Sequence, residues 1–231
     1  MSREIYASLS GARAAMRQLD VVANNLSNAS TTGFKASRTT FRVEGPDGHA
    51  LGKSYAITDS VSPYTVDGPL IGTDNPLDLA LQGDGYFSIQ VGAERLLTRD
   101  GHFTLGDDGV LRTGSGYEVL SQSGTGIEIP AGESISVTES GEIFGEATGY
   151  IDTLSLVRGP ARQAGGNTWS PAGPMVEAAP RVVQGALEGS NTNPMQSMVE
   201  LIEASRYFEA YQKAMQASDG MDERLNRSGG A

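Results

Sequence analysis

Apolar positions near the start of the chain recur in steps of four and three. Ile5, Leu9, Ala12, Met16, Leu19, Ala23 and Leu26 keep that rhythm over three heptads. Such a seam predicts an amphipathic helix that must lay one face against another helix. Ser2 suits the N-cap, because its hydroxyl can accept from a free amide of the first turn. The run Asn24 to Gly33 is rich in Asn, Ser and Thr, which compete for backbone groups and end the helix. The far end of the chain has the same texture. Asn193-Pro194 is a helix start, and Met198, Leu201, Ser205, Phe208, Tyr211, Met215, Ser218 and Leu225 follow near helical spacing.

Between these helices the period drops to two. Leu77–Leu81, Tyr86–Val91, Ile127–Ile129, Ile135–Val137 and Ile151–Val157 read as strands, and Asp100-Gly101 between Leu97-Thr98 and Phe103-Thr104 reads as a hairpin turn. The expected fold class is an α+β mosaic: an all-β central domain with N- and C-terminal amphipathic, coiled-coil helices. The expected boundaries are 1–43 for the first helix and its turn, 44–75 for an extended connector with Gly and Pro, 76–185 for the β domain and 186–231 for the second helix. Two readings of the seams stay open: a hairpin of the two helices within one chain, or helices of other copies. Without partners, helices of this kind are marginal in water, so the ends are expected to order on assembly.

Composition narrows the chemistry. The chain of 231 residues has no cysteine, which excludes disulfides, thiolate metal sites and a cysteine nucleophile. Its two histidines, His49 and His102, are far apart, so no multi-histidine metal site is expected. Net charge is −11, but residues 1–43 are basic (Arg3, Arg13, Arg17, Lys35, Arg38 and Arg42 against Glu4 and Asp20) and the excess acid lies in the middle. An acidic body argues against nucleic acid or an anionic membrane as partner. Arg13 and Arg17 interrupt any signal-peptide core, and no 18-residue apolar run exists to span a membrane.

Two other classes of function have candidate residues. Asp84, Asp100, Asp107 and Asp108 are candidate catalytic acids, but each sits at a glycine-containing turn, where aspartate serves the backbone. Asp107-Asp108-Gly109 lacks calcium-loop spacing, and Gly114-Ser115-Gly116 is not a nucleophile elbow. Catalytic, metal and cofactor residues are therefore expected to be none. Trp169, Tyr150 and Tyr117 would have to line the site of a sugar- or peptide-binding module, a reading that leaves both helical seams unexplained.

Four stretches carry a resemblance. They are Ala23-Asn24-Asn25-Leu26-Ser27-Asn28-Ala29-Ser30-Thr31-Thr32-Gly33-Phe34-Lys35, Asn75 to Phe87, Leu97-Thr98-Arg99-Asp100-Gly101-His102-Phe103, and Gly185 to Pro194. In this order they resemble the signature segments of bacterial flagellar rod and hook axial proteins. Glu4 to Ala12 and Leu187-Glu188-Gly189-Ser190-Asn191-Thr192-Asn193-Pro194 are most like the proximal-rod members, with the distal-rod paralogue as the alternative. Ser140 to Pro180 departs from the family pattern. The resemblance implies a structural subunit that transmits torque from motor to hook. Its helices would form an inner tube, with the β domain outside. Its partners would be itself, other rod proteins and the flagellar type III export apparatus. Its place would be the basal body, reached across the periplasm without a cleaved signal. It assigns Ile5, Leu9, Ala12, Met16, Leu19, Leu26, Met198, Leu201, Phe208, Tyr211, Met215 and Leu225 to an assembly interface, and Asn25, Asn28, Gly33 and Phe34 to the signature turn.

Overall fold

A computed structural model describes residues 3–44 and 55–228, with side chains described over 8–40 and 61–218. Two helices flank a central all-β region: α1, Arg3–Ser27, and α2, Pro194–Ser228. The proposed Ser2 cap lies outside the described residues. Asn193 caps α2 as its sequence suggests, its Oδ1 accepting the amides of Met195 (3.1 Å) and Gln196 (3.3 Å). The chain forms two compact units. One comprises Met1–Ser27, Ser37–Ser62 and Asn193–Ala231; the other comprises Asn28–Ala36 and Pro63–Thr192.

In the first unit α1 packs on α2 and on the strand Ser37–Glu44, which pairs with Tyr55–Pro63. The stretch read as an extended connector therefore carries strands, at Tyr55–Pro63 and at Leu70–Gly72, and its residues 45–54 lie outside the described residues. Asn25, read as a helix-ending turn residue, is buried instead. Its amide nitrogen donates to Ser37 O (2.9 Å) and its oxygen accepts Ser37 N–H (2.8 Å). The side chain thus stands in for a strand neighbour at the start of Ser37–Glu44.

In the second unit a nine-stranded sheet contains the hairpin of Tyr86–Val91 with Glu94–Thr98 and the hairpin of Phe103–Leu105 with Leu111–Thr113. A three-stranded sheet (Ile135–Val137, Glu142–Gly145, Gly149–Thr153) and two ladders, Arg181–Gln184 on Leu79–Gln82 and Ala186–Glu188 on Leu70–Gly72, complete it. The core gathers Leu79, Leu81, Phe87, Phe103, Leu111, Val119, Ile127, Ile143, Leu154 and Val182. Phe87 and Phe103 meet edge to face at 5.1 Å.

Three strand expectations change. Asp100-Gly101 is not a hairpin turn, because the strands on either side of it pair elsewhere. Leu79 N–H donates to Gly101 O at 3.0 Å, and a Cβ at Gly101 would lie 1.6 Å from Leu79 O. The glycine serves a backbone crossing, and the Asp-Gly pair alone does not distinguish the two uses. Ile127 and Ile129 are buried on a segment with only isolated bridges around it. Ile151–Val157 divides into two strands, Gly149–Thr153 and Leu156–Arg158, which join different sheets.

Candidate assembly site

The helix pair closes on small side chains. Gly11, Ala12, Ala14 and Ala15 of α1 are buried, and so is Val22. The Tyr211 ring lies on Gly11 so closely that a Cβ there would be 2.4 Å from Tyr211 Cε1. On α2 the buried or half-buried side is Ser197, Leu201, Ala204, Phe208, Met215 and Ser218, a four–three rhythm continued through Tyr211. Small residues let the two backbones approach, and the larger side chains of α2 fill the space they leave. A chain-internal hairpin is thus present, and the ends are paired within one chain.

The residues expected at an assembly interface divide. Ala12 is buried within the chain, and Leu19, Leu26, Leu201, Phe208 and Met215 are half-buried. Tyr211 covers Gly11. Leu9, Met16 and Met198 are exposed. Ile5 and Leu225 lie on the helices, but their side chains lie outside the described residues. The structure adds residues that the single-seam reading missed: Met195, Val199, Ile202 and Tyr207 are exposed on α2. The signal was available as a surplus. Met195, Met198, Val199 and Ile202 follow a second three–four stripe beside the one that faces α1, and two stripes need two coverings.

From Asn28 onward the signature turn lies in the other unit. Asn28 O accepts Thr31 N–H at 3.1 Å, and Asn28 Oδ1 accepts the Thr31 hydroxyl at 3.2 Å. Gly33 has φ +63°, and a Cβ on it would stand 2.4 Å from the carbonyl carbon of Arg99. Left-handed geometry and close approach both demand glycine there. Gly33 N–H donates to Glu188 O (2.6 Å), and Phe34 beside it is fully buried. Asn191 receives Ala36 N–H (2.7 Å) and donates to the carbonyls of Tyr64 (2.6 Å) and Val66 (2.9 Å).

At the centre of this junction three charges are buried together. Lys35 is 1%, Arg99 2% and Glu188 1% exposed. Glu188 accepts from Lys35 Nζ at 2.5 Å, from Arg99 at 3.2 Å and from Gly68 N–H at 2.9 Å. Asp67 stands 3.6 Å from both cations and balances the second positive charge. Lys35 also donates to Val66 O (3.0 Å) and Arg99 to Gly83 O (2.6 Å). Each ion is held by more than one partner, as burial requires. Arg99 also lies 5.6 Å from the Tyr86 ring; burial pushes the Tyr86 phenol up, and the Arg99 charge opposes that shift. Lys35, Arg99 and Glu188 each belong to a different signature segment, and Gly83 brings in the remaining one. Sequence reasoning saw the glycines and aromatics of these segments but not their ions.

The rival residues do not converge. Asp108 is tied to Arg112 at 2.7 Å, which holds its carboxyl below the usual range. Asp100 accepts the Thr32 hydroxyl (2.8 Å) and His102 N–H (3.1 Å). Trp169 is buried with Tyr86 and Leu97, whereas Tyr150 packs edge to face on Phe144 in the three-stranded sheet. Among the described residues no group of three or more His, Cys, Asp or Glu is placed to hold a metal, and no helix is long and apolar enough to cross a membrane.

Three segments of the chain match known protein families. Residues 5–35 match the family described as "Flagella basal body rod protein", residues 80–145 "Flagellar hook protein FlgE/F/G D1 domain", and residues 183–228 "Flagellar basal body rod FlgEFG protein C-terminal". The chain is 32% identical to the flagellar basal-body rod protein FlgF of Caulobacter vibrioides over 93% of each chain. It is 31% identical to FlgF of Salmonella typhimurium over 98% of each. It is 37% identical to the rod protein FlgG of Bacillus subtilis over 62% of this chain and 60% of that one.

Proposed function

Since the chain belongs to the flagellar basal-body rod proteins, of the proximal-rod FlgF type, we propose that its exposed helical face packs against helices of neighbouring rod subunits. It is a structural subunit of the basal body and assembles with other flagellar rod proteins. The observation that carries the assembly reading is the second apolar stripe of α2. The seam toward α1 is already occupied within the chain, while Met198, Val199 and Ile202 remain open, with Leu9 and Met16 open on α1. Burying one such side chain contributes about 1.5–3 kcal/mol, so a few per contact suffice for a contact repeated along a filament. A contact between unlike patches, repeated from copy to copy, builds a helix and so a shaft that transmits torque from motor to hook.

In this reading catalysis plays no part, and the candidate acids serve turns and ion pairs. The helices belong to the inner part of the rod and the β unit to its outside. The subunit reaches the periplasm through the flagellar type III export apparatus, as its family resemblance implies. Ile202→Asp tests the assembly face. The variant places a charge on an open position, so circular dichroism of the purified chain should be unchanged while spreading in soft agar is lost. Normal swimming with Ile202→Asp overturns the assignment of this face.

A further inference from the structure

Among the described side chains, three methionines stand on open positions of the helical unit. Met16 on α1 is 54% exposed; Met195 and Met198, one turn apart on α2, are 73% and 48% exposed. Met175 and Met215, the other methionines with described side chains, are half-buried. Single exposed apolar side chains are ordinary. Among the described side chains these are the three most exposed thioethers: Met195 and Met198 belong to the α2 stripe with Val199 and Ile202, and Met16 is an open position of α1. The chain has no cysteine, so methionine carries its readily reversible sulfur redox chemistry.

We propose that Met16, Met195 and Met198 are separate oxidation sites through which a hydroperoxide turns off the assembly face; the consequence rests on the assembly reading above. The thioether sulfur attacks the outer oxygen of the hydroperoxide. The O–O bond breaks, a sulfur–oxygen bond forms, and sulfur gives two electrons to the peroxide. The departing oxygen takes up a proton and leaves as water, or as an alcohol from an organic hydroperoxide. The product sulfoxide is a polar acceptor on a formerly apolar side chain. Burying such an acceptor between helices without a donor is unfavourable, so an oxidised face no longer packs. Once subunits are assembled the same sulfurs are covered, which confines the reaction to free subunits.

The test uses the full chain and hydrogen peroxide. Sulfoxide at each methionine is quantified by peptide mass, and self-association is followed by sedimentation velocity for the untreated chain, the oxidised chain and the oxidised chain reduced back with methionine sulfoxide reductases. Met16, Met195 and Met198 should oxidise several-fold faster than Met175 and Met215. The oxidised chain should keep its helical circular dichroism yet associate at least tenfold more weakly. The chain reduced back should associate as the untreated chain does. Equal oxidation rates, loss of helix on oxidation, or weakened association that persists after the sulfoxides are reduced back overturns the proposal. Association of the native chain that ignores peroxide removes the oxidation switch alone. A native chain that never associates removes the assembly reading, and the switch with it.

Discussion

Glu188 joins residues from three separated parts of the chain: Lys35 at 2.5 Å, Arg99 at 3.2 Å and the Gly68 amide at 2.9 Å. Removing its charge leaves two buried cations facing only Asp67, which is partly exposed. Glu188→Gln should therefore destabilise the β unit by about 3–5 kcal/mol, read from urea denaturation followed by Trp169 fluorescence. Lys35→Met alone should be similarly costly, whereas the double variant should lose less than the sum of the two, with a coupling of about 0.5–3 kcal/mol. Strict additivity would show that the two charges do not depend on each other. Gly33 beside them has no such latitude: its φ of +63° and the 2.4 Å approach to the Arg99 carbonyl exclude a side chain on geometry alone.

At the scale of elements, one close approach between α1 and α2 tests their pairing. Gly11 gives up a side chain so that the Tyr211 ring can lie on the helix. Gly11→Leu should open the pair, lowering the melting point of the helical signal by the equivalent of about 1–3 kcal/mol of overpacking. Adding Tyr211→Ala removes the obstructing ring and should recover part of the loss. Unchanged melting in Gly11→Leu would mean that Tyr211 swings aside freely and does not set the helix spacing. The strand Ser37–Glu44 depends on α1 in another way, through the reciprocal Asn25–Ser37 bonds. Helix termination and strand initiation are thus the same event, expressed through one side-chain amide.

The whole molecule is organised as two units whose members alternate along the chain. Residues 28–36 leave the helix and join the β unit, 37–62 return to the helices, and 63–192 complete the β unit. Phe34 reports this directly, because it is buried in the β unit although it follows α1 by only a few residues. Phe34→Ala should lower the Trp169-monitored transition by about 3–5 kcal/mol. A variant whose Trp169 transition stays in place would assign residues 28–36 to the helices instead. The α2 stripe and the buried ion cluster are then distinct features: one is the proposed contact with neighbours, and the other ties together the chain segments that enter and leave the β unit.

The chain by itself determined what is local. A four–three rhythm marks both helices because side chains three and four apart share a face, and alternation marks most strands because their side chains point to opposite sides. Asn193-Pro194 placed the start of α2, and the four motifs placed the chain in its family. Partner choice is not local, and only the tertiary structure decided it. Small residues at 11, 12 and 15 determine which side of α1 turns inward within the chain, so the larger Leu9 and Met16 remain outside. Asp100-Gly101 looks like a hairpin turn until Leu79 crosses it. Lys35 and Glu188 are 153 positions apart, and no pattern within either segment states that they meet. Desolvation makes that meeting obligatory, because neither charge can be buried without the other.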